Sequence, residues 1–292
     1  METWGSSNNI QQNLRLSRTD FRQGEERWYV LDNAGAFMPA LSNSIATLVF
    51  RISATLSSTI VLPVLEAALE AIAPRFPYYL VVLRRGFFWY YLEPATTKRP
   101  RVSADSKYPC RIMRARHGSF LFRVRVYSSR IAVEFCHFLT DGAGALIFLK
   151  ALVLEYHRLL GQDIPDSGDI FTSAELPDPE EYEDAFNRNV RPGVPHPEKV
   201  HRAFHIPAIP LWRGQYRIIT GHMPLDAVVE KSRQLGVSLT EMLAAIYLAA
   251  LQDIFYALPS PMRKAMSPIL ALEVPVNLRR LFPSRTMRNF SL

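Results

Sequence analysis

Cysteine is almost missing from this chain: Cys110 and Cys136 are its only two. They make neither a metal-ligand spacing nor a disulfide framework, so covalent staples are excluded as its source of stability. Long apolar runs are missing as well. No stretch has the length of a membrane span, and the start (METWGS) lacks the basic-then-apolar pattern of a secretory signal. The expectation is a cytoplasmic protein with no membrane span. No internal repeat and no metal-binding cluster can be read either. Acidic residues fall short of basic ones, 27 against 34, leaving a formal charge of +7. That excess could meet nucleic acid or the phosphates of a coenzyme, but scattered arginine is more the mark of a solvated face.

What is present is a globular composition, 48% hydrophobic and 21% charged over 292 residues. A chain of this length can bury a sizeable core as one large or two medium domains.

The most informative stretch runs from Ile131 to Gly144 (IAVEFCHFLTDGAG). Residues 130–137 alternate, with Ile131, Val133, Phe135 and His137 on one face and Ala132, Glu134 and Cys136 on the other. A period of two predicts a strand with one buried face. Gly142 and Gly144 break it, and Leu146, Phe148, Leu149, Leu152, Val153 and Tyr156 resume at helical spacing. His137 therefore stands at a strand end on the apolar face, with Asp141 one turn later. Imidazole in such a place can serve as a base near neutrality. A second His-x-x-x-Asp, His222 to Asp226, runs into Ala227 rather than glycine, and Asp226 reads as a helix N-cap or first-turn acid. A Cys136–His137 dyad is excluded, because adjacent strand residues point to opposite faces.

The segment Cys136 to Gly142 (CHFLTDG) resembles the HxxxDG motif of the chloramphenicol acetyltransferase-like superfamily, which includes BAHD acyltransferases, condensation domains and bacterial alcohol acetyltransferases. Three more stretches match in order: Leu65 to Leu69 with Arg75-Phe76-Pro77, Gly236 to Glu241 (GVSLTE), and Val274 to Arg279 (VPVNLR). The resemblance implies an α/β (α+β) two-lobe sandwich, a mixed sheet with flanking helices, its second lobe incomplete. It also implies that His137 is the general base and that Asp141 is structural, ion-paired to Arg279 on a second-lobe strand. Gly142 would permit the sharp turn. The co-substrate implied is acyl-CoA (acetyl-CoA), with no permanently bound cofactor, and the acceptor is a small alcohol or amine. A single histidine without an attached carrier domain points toward alcohol O-acetyltransferases. Carrier-protein-dependent ester or amide formation, and a non-catalytic binding module on the same fold, remain the alternatives.

Along the chain, residues 1–26 read as a polar arm, 27–162 as a first lobe, 163–214 as an acidic, proline-rich linker, and 215–292 as a partial second lobe. Strands are expected over 47–56, 79–83, 87–92, 119–127, 216–223 and 268–276. Helices are expected from Pro63 to Ile72 and, behind the capping box Ser238–Glu241, to about Phe255. Arg85 to Tyr91 (RGFFWYY) faintly echoes an RNA-binding strand, but Phe88 stands where that module needs a small residue, so nucleic acid is not expected. Arg123 and Arg125 share one strand face, either a coenzyme-phosphate site or, more in keeping with sheets, the wet face.

Overall fold

Alternating apolar residues before His137 build the strand on which the first part of the chain packs. The computed structural model describes residues 28–44, 46–95, 97–113, 118–164, 170–191, 193, 201–208, 211 and 217–291. These fall into two compact units, one made of the chain up to Val190 together with Asn277 onward, the other of Arg191–Val276.

In the first unit, β1 (Tyr29–Val30) and a short helix α1 (Met38–Leu41) precede β2 (Val49–Thr55) and helix α2 (Leu62–Ile72). Then follow β3 (Val81–Arg85), β4 (Tyr90–Pro94), β5 (Val102–Ala104), β6 (Phe122–Tyr127), β7 (Arg130–Cys136) and helix α3 (Gly142–Leu159). One sheet has the order β1-β4-β3 and the other β2-β7-β6-β5. β7 is central, antiparallel to β2 (Ile52↔Val133) and to β6 (Val124↔Val133), while β5 joins β6 in parallel.

Helices α2 and α3 lie against each other and bury the stripes that their sequences carry, Leu65, Ala68, Leu69 and Ile72 on α2, and Phe148, Leu149, Leu152 and Tyr156 on α3. Between helices and sheet sits an aromatic cluster: Phe135 and Tyr79 have ring centroids 5.0 Å apart, and Phe122 meets Phe148 edge-on at 5.3 Å. Each such pair adds about 0.5–1.5 kcal/mol beyond the area it buries.

Several expectations need correcting. β7 has two buried faces, because Glu134 and Cys136 are buried too. The outer face is covered by arginine side chains: Arg51 and Arg123 stand beside Glu134 across the strands and both donate to its carboxylate. Arg125 is 5% exposed, so this face is not the wet one. The 79–92 hairpin is shifted by two to three residues, with Phe87 and Phe88 exposed between the strands rather than in one.

The segment read as linker is partly core. A 3-10 turn at Pro179–Tyr182 and helix α4 (Ala185–Asn189) pack into the first unit, burying Glu181, Tyr182 and Ala185. Composition missed this, because a few anchors hold the segment. Glu181 meets Arg75 twice at 2.7 Å, and Arg75 lies 4.0 Å from the Phe171 ring centroid.

In the second unit, α5 (Leu225–Gln234), α6 (Leu239–Ala257) and α7 (Ser260–Lys264) are present. The Ser238–Glu241 capping box is formed in both directions. The strands expected over 216–223 and 268–276 are not: residues 217–224 and 267–276 run without strand structure, residue 216 lying outside the described residues. An apolar pattern makes a strand only where a neighbour completes the hydrogen-bond ladder, and among the described residues Ile269 accepts one bond, from Phe204 N–H at 2.7 Å. On α6, Leu243, Ile246, Tyr247 and Ile254 are exposed. That helix is long and apolar enough to cross a membrane by length and composition alone, although Glu241 and Asp253 interrupt it.

Candidate active site

The end of β7 delivers His137 to a fixed place. Its backbone N–H donates to Leu48 O at 2.7 Å, one residue before β2, and its ring lies 5.1 Å from that of Phe50. Nδ1 is 3.2 Å from Oδ1 of Asn289. Nε2 has no hydrogen-bond partner among the described residues.

Behind Asn289 stands Asp32, fully buried. Its carboxylate accepts from Asn289 Nδ2 at 3.0 Å, from the Asn289 backbone at 3.2 Å and from Gly35 N–H at 2.6 Å. Arg288 Nε lies 3.7 Å away. Burial pushes the Asp32 carboxyl above its ordinary range, while Arg288 and these donors oppose the shift.

Asp141 faces elsewhere. It caps α3, its Oδ1 accepting from Ala143 and Gly144 N–H, both at 3.1 Å. Arg279 reaches its two oxygens at 2.8 and 3.2 Å, and Phe290 N–H donates to Oδ2 at 3.0 Å. The carboxylate is thus occupied by structural donors, and no hydrogen bond to His137 is present. Arg279 sits in a 3-10 turn, Leu278–Arg280, of the first unit, not on a strand of the second. Its guanidinium also donates to Thr286 O at 2.9 Å and Arg288 O at 2.6 Å, which fixes the loop that carries Asn289.

The glycine the motif cannot do without is not Gly142. A Cβ there would meet nothing within 4 Å, and the residue simply begins α3. At Gly144 a Cβ would collide with Met287 O and Thr140 Oγ1 and approach Tyr79 OH to 2.9 Å. Cys136 is buried and its thiol is pushed up to about 12 by burial, so no thiolate forms beside His137 near neutrality. His222 is exposed and Asp226 lies in the first turn of α5, in the second unit. Among the described residues no group of three could hold a metal ion.

Asp32, Gly35 and Asn289 escaped the sequence reading. Asp32 to Gly35 has the composition of a turn, and Asn289 is separated from His137 by 152 residues and from Asp32 by 257. No spacing rule connects such positions.

Two sheets with flanking helices make this a mixed α/β fold, with His137 at the end of a central strand. Among solved structures, the polyketide synthase associated protein 5 from Mycobacterium tuberculosis matches at 15% identity and a TM-score of 0.55, over 93% of this chain and 66% of its own. The starter condensation domain of rhizomide synthetase RzmA matches at 14% identity and TM-score 0.38, over 50% of this chain and 41% of its own. The X-domain from teicoplanin biosynthesis follows at 12% and 0.37, over 49% and 35%. The chain therefore spans less than two thirds of the length of each. No family model and no curated relative matches the sequence. At 15% identity the likeness to the first of these structures concerns the fold alone.

Proposed function

We propose that the chain carries the base of an acyl-CoA-dependent acyltransferase, with His137 removing the proton from an acceptor hydroxyl. The observation that carries this reading is the His137 ring itself, held through Nδ1 by Asn289 with Nε2 unengaged by any described residue. In the step proposed, the acceptor oxygen attacks the thioester carbonyl carbon while its proton passes to Nε2. The tetrahedral adduct then collapses, the C–S bond breaks, and the imidazolium returns the proton to the departing thiolate, giving ester and free coenzyme A. A base so placed contributes a factor of about 10² to 10⁴. Asp141 and Arg279 take no part in proton transfer and hold the turn after His137 in place.

An alcohol acceptor and acetyl-CoA are the first substrates to try, with amines and carrier-bound thioesters as the other arms. A mutant of the RzmA starter condensation domain has been solved in complex with C8-CoA, and a medium-chain acyl donor belongs in the panel.

The test is acceptor-dependent release of free thiol from acyl-CoA by the purified chain. His137→Ala should abolish release and leave the fold intact, while His222→Ala should keep most of it. Release only from carrier-bound donors would move the reading to condensation chemistry. Saturable acyl-CoA binding with no release from any donor would make the chain a binding module, and turnover surviving in His137→Ala would end the assignment.

A further inference from the structure

His137, Asn289 and Asp32 come from distant points in the chain and meet in a line behind the end of β7. We propose that Asn289, held by Asp32, is a positioning residue that locks the His137 ring in the tautomer with its proton on Nδ1, leaving the Nε2 lone pair free. The use made of that lone pair rests on the acyl-transfer reading; the lock itself does not.

A primary amide has a donor end and an acceptor end, and an ionised carboxylate only accepts. Asn289 Nδ2 lies 3.0 and 3.3 Å from the two Asp32 oxygens, so the amide must turn its N–H groups toward Asp32. Reversed, its oxygen would face those oxygens, lone pair against lone pair. The amide oxygen is therefore the atom presented to His137 Nδ1, 3.2 Å away, and the imidazole nitrogen must be the donor.

The carboxylate cannot rotate to relax this choice. Gly35 N–H and the Asn289 backbone N–H hold it from two further directions. Gly35 also lets the Asp32 loop close on the motif, because a Cβ there would come within 2.8 Å of Phe138 O and 2.9 Å of Asp32 Oδ1. Burying a carboxylate is costly unless donors surround it, and this one is surrounded. An amide oxygen in contact with the ring sets the tautomer without putting a negative charge on it, which separates this arrangement from a Ser-His-Asp triad.

The test is ¹⁵N NMR of the full chain with labelled histidine, the His137 signals being assigned by their loss in His137→Gln. The wild-type ring should show Nδ1 protonated and Nε2 unprotonated when neutral. Asn289→Leu should lose that preference, and Asp32→Asn should weaken it by freeing the amide to turn. The double variant Asp32→Asn with Asn289→Asp should restore it, since an amide at position 32 then donates to a carboxylate at 289 that accepts from Nδ1.

A wild-type ring protonated on Nε2 would overturn the proposal, and so would an unchanged tautomer in a folded Asn289→Leu chain. If Asn289→Leu does not fold, the wild-type spectrum and the double variant decide. Where acyl transfer is measurable, Asn289→Leu should lower kcat about 10²-fold at unchanged KM, within the range a general base contributes. The locked tautomer without any transfer would sink the acyl-transfer reading alone. Transfer with a free tautomer would sink this proposal alone.

Discussion

Arg279 grips Asp141 across 138 residues of sequence, its Nη1 2.8 Å from Oδ2 and its Nη2 3.2 Å from Oδ1. Both side chains are largely buried, and the pair lies within the first unit rather than at a junction between lobes. Removing one member strands the other charge, so Asp141→Asn and Arg279→Gln should each destabilise by about 3–5 kcal/mol. The double variant should cost clearly less than the sum. Urea unfolding of the three variants measures the coupling, and strictly additive losses would mean that the pair contributes nothing as a pair.

The elements legible in the sequence are those whose signal is local. The alternation of 130–137 gave β7, Pro63 and the Leu65–Ile72 stripe gave α2, and Ser238 with Glu241 gave the start of α6. Two kinds of feature were not legible. The strands expected at 216–223 and 268–276 have apolar patterns but no ladder partner among the described residues, and a pattern cannot supply one. The buried role of Glu181 was hidden for the opposite reason: an acidic, proline-rich stretch reads as solvated until its partners, Arg75 and Arg285, are known. At the site, His137 announced itself by position. Asn289 could not, because its role depends on a contact with Asp32, 257 residues away.

The Arg75–Glu181 pair tests the claim that residues 179–190 belong to the first unit. Glu181 is fully buried, and Arg75 leaves it little freedom, with two bonds of 2.7 Å. Glu181→Gln should destabilise the first unit by about 3–5 kcal/mol, because the Arg75 guanidinium keeps its charge in a buried place. Arg188→Ala, at the exposed end of the same segment, should cost no more than about 1 kcal/mol although it touches Glu180 and Glu183. Thermal unfolding of both distinguishes an anchored segment from a linker, for which the two losses would be alike and small.

The charged outer face of the larger sheet sets an acid limit. Hydrogen bonds from Arg51 hold the Asp105 carboxyl below the ordinary carboxylate range. For Glu134, burial works the other way, but Cys110 N–H, Arg123 and Arg51 prevail and its carboxyl is also lowered. An acid whose folded pKa lies below its unfolded value adds stability above the unfolded value and loses it as pH falls through the folded one. The wild-type chain should therefore lose stability steeply below about pH 4. Asp105→Asn, already lacking that ionisation, should be less stable at neutral pH and show a shallower fall between about pH 4 and 2. Denaturant midpoints measured across that window check the slope, and parallel curves would show that Asp105 contributes no proton linkage.

The two glycines of the motif turn should respond in opposite directions. Gly142 is the first residue of α3, is exposed, and a Cβ added to it would touch nothing within 4 Å. Gly142→Ala removes conformational freedom from the unfolded chain without a folded-state clash, so stability should rise by about 0.4–1 kcal/mol. Gly144 has no such room. The Met287 carbonyl is backbone and cannot rotate away, and Thr140 Oγ1 is itself tied to that carbonyl at 2.5 Å and to Tyr79 OH at 3.0 Å. Gly144→Ala must push the 286–290 loop outward, costing about 1–3 kcal/mol as overpacking does. Because that loop carries Asn289, the same substitution should also loosen its contact with His137 and reduce any acyl transfer more than the loss of stability explains. Unfolding and turnover measured on both variants settle the matter: equal tolerance at the two positions would mean that the loop does not close on the motif as described.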